Sequence, residues 1–96
     1  MKIHLKLYGV FRSAAKAGDV ELDVKTGSTV KSLIDQVISQ ENFRSLRALL
    51  MDDSTSDPRS NALILVSGRE IGALAGVDTV LREGDEVAIL PISHGG

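Results

Sequence analysis

Between residues 30 and 38 apolar side chains recur at helical spacing: Val30, Leu33, Ile34, Val37 and Ile38 stand at i, i+3, i+4, i+7 and i+8. On a helix they form one broad stripe, with Lys31, Asp35 and Gln36 left facing water. Thr26-Gly27-Ser28-Thr29 punctuates the chain just before it, and Ser28 or Thr29 can accept from the free N–H groups of the first turn. A stripe this wide cannot stay in solvent. It requires a sheet to cover, and that requirement organises the rest of the chain.

The sheet is supplied on both sides. Ile3, Leu5 and Leu7 alternate with Lys2, His4 and Lys6, and Val20, Leu22 and Val24 alternate with Glu21, Asp23 and Lys25. Period two marks each run as a half-buried strand, and the pair reads as a hairpin. Phe11 extends the first apolar face beyond Gly9, and Arg12 to Asp19 reads as a turn or short helical loop. After the helix, Phe43, Leu46, Leu49 and Leu50 give a weaker helical pattern. Leu63 to Val66, Ile71 to Leu74 and Val87 to Leu90 read as further strands, separated by Ser67-Gly68-Arg69-Glu70 and by Arg82-Glu83-Gly84-Asp85. Asp52 to Ala62 is polar, holds Pro58 and lacks periodicity, so it is expected to be a mobile loop.

Composition narrows the function. Cysteine is absent, which excludes disulfides, thiolate metal sites and a cysteine nucleophile, so any sulfur chemistry must come from another protein. A net charge of -2 with signs interspersed gives no footprint for nucleic acid or an anionic membrane surface. No apolar run approaches the roughly 20 residues of a membrane span, and the N-terminus alternates instead of forming a signal-peptide block. The expectation is a soluble, cytoplasmic protein, monomeric when alone. His4 and His94 are the only imidazoles and no third ligand accompanies them, so no metal site is expected. No Walker-type loop is present, so nucleotide is expected on a partner.

The C-terminus carries the chemistry. Pro91 removes a backbone donor and resists continuation of the last strand. Beyond it Ile92, Ser93, His94, Gly95 and Gly96 are too small or too polar to pack. Residues 1–90 therefore read as one domain and 91–96 as a flexible diglycine tail, able to reach roughly 20 Å. Two glycines at a chosen position arise by chance in roughly one chain in 200, so simple fraying stands as the plain alternative to function. Gly96 presents a sterically bare α-carboxylate, and glycine is the residue that threads a narrow channel at any φ.

Asp78-Thr79-Val80-Leu81-Arg82-Glu83-Gly84-Asp85-Glu86-Val87, followed by an apolar strand, a proline and Gly95-Gly96, resembles the D-T-x-L-x-x-G-D-E-V signature of the MoaD/ThiS group of small sulfur carriers. Leu65-Val66-Ser67-Gly68-Arg69 resembles the strand and turn before it, where that group more often has Asn at the position of Ser67. Pro91-Ile92 departs from the Pro-Pro common in MoaD, and Ser93-His94-Gly95-Gly96 is closer to ubiquitin-related modifiers. The resemblance implies an α+β fold, the β-grasp of ubiquitin: a mixed sheet of about five strands on one main helix, with a second short helix.

It also implies a carrier with no catalysis and no bound cofactor of its own. A MoeB/E1-like activating enzyme would use ATP to adenylate Gly96, and sulfur transfer would then give a thiocarboxylate. The receiving partner would be a MoaE-like large subunit of molybdopterin synthase; the alternatives are conjugation to target-protein lysines and tRNA thiolation. Ile92, Ser93, His94 and Gly95 would thread the partner's active site. If Ile64, Val66, Val87 and Ile89 face the helix, Leu65 and Leu90 face outward and form a docking patch beside the tail.

Overall fold

The computed structural model describes residues 1–51 and 57–92. Five strands form one mixed sheet: β1 (Lys2–Leu7), β2 (Asp19–Asp23), β3 (Ala62–Val66), β4 (Arg69–Glu70) and β5 (Glu86–Pro91), in the order β2-β1-β5-β3-β4. The first and last strands lie side by side and parallel, with Leu5 beside Val87 and Leu7 beside Ile89. All other pairings are antiparallel.

The apolar stripe becomes α2 (Val30–Ile38), and all five of its apolar residues are buried. Thr29 is the cap. Its side chain accepts from the Ser32 N–H while the Ser32 hydroxyl accepts from the Thr29 N–H, so two orphan donors are satisfied reciprocally. The stripe packs in one core with Ile3, Leu5, Leu7, Ile64, Val66, Val87 and Ile89 from the sheet. Full burial of each such side chain is worth ~1.5–3 kcal/mol, and with so few aromatics these aliphatics supply most of the cohesion.

Three elements differ from the sequence expectation. Phe11 does not prolong the first strand: it is the buried residue of a third helix, α1 (Gly9–Ala15). One buried side chain in seven residues leaves too little period to read. The short strand after β3 is Arg69–Glu70, and Ile71–Ala73 is a 3-10 turn capped by the Glu70 carboxylate on the Gly72 N–H. Between Asp52 and Ala62, the described part is tied down. Asp57 caps a 3-10 turn at Pro58–Ser60, Pro58 is buried, and the Asn61 amide donates to the Leu50 carbonyl at the end of α3 (Arg44–Leu50). Residues 52–56 lie outside the described part.

Candidate docking face and tail root

The sheet buries one face against the helices and leaves the other outward. Cross-strand register decides which side chains meet there. On β5 and β3, Leu90 stands opposite Leu63 and Ala88 opposite Leu65, while Lys6 of β1 lies beside Ala88. Tyr8 follows β1 in an extended conformation and continues the alternation outward. Leu63 is 40% exposed and Tyr8 41%, whereas Leu65 and Leu90 are half-buried by their neighbours. The result is an aliphatic band across β3 and β5, with Lys6 of β1 and the exposed Tyr8 on its β1 side.

Leu65 and Leu90 are thus brought together as adjacent members of this band. Sequence reasoning missed Leu63 and Tyr8. The signal for Leu63 was available, since it shares parity with Leu65. Tyr8 was hidden because the chain turns into α1 immediately afterwards.

On its β1 side the band meets charge. The Lys6 ammonium lies 3.4 Å from Glu86 and 3.9 Å from Asp19, and its pKa is raised, chiefly by the hydrogen bond to Glu86. Arg12 lines an open groove there of about 410 Å³ together with Lys6, Tyr8, Gly18 and Asp19, and it forms no ion pair among the described residues. The band is therefore apolar at its centre and charged, with both signs present, at this rim.

The tail leaves from the same end. β5 continues through Pro91, which pairs with Ala62, so the strand runs one residue past the expected boundary. The missing donor is harmless there. The Ile89 carbonyl accepts from the Tyr8 N–H at 3.2 Å, so the position of a residue-91 N–H faces the same side two residues on. On that side the Tyr8 carbonyl is already taken by the N–H groups of Phe11 and Arg12. A proline ends the ladder where no acceptor is left free. Ile92, 37% exposed, is the last described residue. Ser93, His94, Gly95 and Gly96 lie outside the described part.

The model of one protein family, the ThiS family, matches residues 5–96. The chain belongs to the ThiS family. A candidate sulfur carrier protein of Archaeoglobus fulgidus is 37% identical over 79 residues, covering 82% of this chain and 85% of the relative. Small archaeal modifier protein 3 of Haloferax volcanii is 27% identical over the full length of both chains. The crystal structure of SAMP1 from Haloferax volcanii matches with a TM-score of 0.83 at 22% identity, again over 100% of both chains. The fold is accordingly the ubiquitin-like β-grasp of the ThiS family, with a third helix beside the two that were expected. Among the described residues no helix is long and apolar enough to cross a membrane.

Proposed function

We propose that this ThiS-family chain is a sulfur carrier whose chemistry takes place at Gly96. The observation that carries the reading is the coincidence of the outward Leu63, Leu65, Ala88 and Leu90 band with the end of the sheet from which the tail departs. A partner that covers the band has the start of the tail, Ile92, at the edge of its contact. An apolar centre with a charged, polar rim is a surface suited to docking.

The chemical need is specific. A carboxylate is a poor electrophile until its oxygen becomes part of a good leaving group. In the proposed first step the Gly96 carboxylate attacks the α-phosphorus of ATP in a MoeB/E1-like enzyme, and pyrophosphate leaves. Hydrosulfide then attacks the acyl carbon, AMP departs with the bonding electron pair, and the thioacid loses its proton to give a thiocarboxylate. ATP belongs to the partner throughout. The carrier contributes an unbranched terminus that enters a narrow channel without steric penalty, and main-chain groups that can pair with a sheet edge.

The receiver we propose is a MoaE-like subunit of molybdopterin synthase, on the strength of the Asp78 to Val87 signature. A second reading, conjugation of Gly96 to target-protein lysines, is favoured by the full-length match to a small archaeal modifier. Incubation with a MoeB-type enzyme, ATP and a sulfur source, followed by intact-mass measurement, tests the first. An oxygen-to-sulfur mass increase at Gly96 is expected, and an unmodified chain beside a reacting control carrier would refute it. Complementation of a strain lacking its molybdopterin carrier tests the receiver. Gly-Gly remnants on cellular lysines without such complementation would favour the second reading.

A further inference from the structure

A second groove lies at the other end of the sheet and on its opposite face. It encloses about 290 Å³ and is lined by Val66, Arg69, Leu74, Val80, Arg82 and Asp85 among others. Register places Arg69 opposite Val66, a core-facing residue, so this groove opens on the helix side of the sheet edge and not on the outward band. The length of β5, at about 3.3 Å per residue, separates it from the tail root by roughly 17 Å.

The wall of this groove is held rigid. Ser67 and Gly68 both have positive φ, 47° and 86°, which builds a tight two-residue turn between β3 and β4. Ser67 tolerates that conformation with its hydroxyl engaged: it donates to Asp85 Oδ1 at 2.9 Å and accepts from the Glu86 N–H at 3.3 Å. Asp85 Oδ2 accepts from the Arg82 N–H at 2.8 Å. Both oxygens of the Asp85 carboxylate, the one carboxylate in the groove lining, are thus engaged, one by the Ser67 hydroxyl and one by the Arg82 N–H.

Arg69 and Arg82 make no ion pair among the described residues, although the chain as a whole is net acidic at -2. In the same lining Val80 is 58% exposed, and Leu74 is only partly buried. Two forked cations around an aliphatic floor complement carboxylates that flank an aliphatic side chain. β4 is also the outer strand of the sheet, which suits an extended ligand.

We propose that this groove is a second binding site, for an extended acidic protein segment carrying a central aliphatic residue. It can be occupied while the tail is held in another active site, so the carrier can be recruited and activated at once. The proposal does not depend on what becomes of Gly96.

The test is titration of the 15N-labelled full-length chain with a capped Asp-Glu-Leu-Asp-Glu peptide, its Asn-Gln-Leu-Asn-Gln counterpart, and a Lys-Arg-Leu-Lys-Arg control. Saturable shifts of the Ser67, Arg69, Val80 and Arg82 amides are expected with the acidic peptide alone, and none at Leu63 or Leu90. The Arg69→Gln/Arg82→Gln variant should bind at least ~10-fold more weakly with its spectrum otherwise unchanged, because both side chains are exposed. Val80→Asp should weaken binding similarly. The proposal is overturned by absence of saturable shifts, by equal binding of the neutral peptide, or by indifference to these substitutions.

Discussion

The ring of Pro91 lies against the backbone of Gly9: a Cβ built on residue 9 would sit 2.8 Å from Pro91 Cγ and 3.3 Å from Cδ. Gly9 also has φ of +56°, so this position tolerates a side chain neither in conformation nor in space. The contact joins the start of α1 to the last residue of β5. It fixes the point from which Ile92 departs.

Gly9→Ala should therefore cost ~1–3 kcal/mol of stability, from the positive φ and the displaced ring together. Urea denaturation measures the loss. Because the displaced group is the tail root, activation by the partner enzyme should slow even where the variant is fully folded. An unchanged rate would show that the tail's exit point is immaterial.

Leu63→Asp and Leu90→Asp place a charge in the outward aliphatic band while leaving the helix-side core untouched. Each should raise the carrier concentration needed for half-maximal pyrophosphate release by ~10-fold or more, the effect of losing a central interface contact. Leu49→Asp, at an exposed position on α3, should leave that concentration unchanged. Equal effects at all three positions would remove the band from the docking account.

The Asp57 carboxyl is held below its ordinary value of 3.8, first by the hydrogen bonds from the Arg59 side chain, then by the Arg59 N–H and its charge. A carboxyl more acidic in the folded state stabilises above its unfolded value, and that contribution is lost as the pH falls through the folded one. Both side chains are over a third exposed or close to it, so the gain is at most ~1 kcal/mol. Asp57→Asn should thus lower the urea midpoint at neutral pH, and the gap from the parent should close on acidification below the usual carboxylate range. A gap that persists there would assign the loss to packing.

Thr29→Ala removes the acceptor for the Ser32 N–H and breaks the reciprocal cap of α2. The expected cost is ~1 kcal/mol by thermal or urea unfolding, with Thr29→Ser close to neutral. A neutral alanine variant would mean that the Thr29 backbone bridge to Val80 fixes this end of the helix without the hydroxyl.

Periodicity was enough for the large elements. The Val30 to Ile38 stripe, the alternation of Ile3, Leu5 and Leu7, and the parity that put Leu65 and Leu90 outward are all local, repeated several times, and present in the structure. Short elements were harder. α1 has one buried residue, Phe11, and β4 has only two residues, so neither repeats often enough to show a period. The strand expected at Ile71 to Leu74 became a turn because the Glu70 carboxylate captures the Gly72 N–H.

By itself the chain's residue order determined the class of fold and the signature of its family, since these depend on side-chain type and short spacing. Tertiary structure decided which residues from distant segments meet. Leu63 reaches Leu90 through strand register, Pro91 finds a gap in the ladder because Tyr8 turns into α1, and Arg69 and Arg82 come to line one groove. None of these is visible to a local pattern, because each arises from pairing between segments that are brought together by burying the aliphatic core.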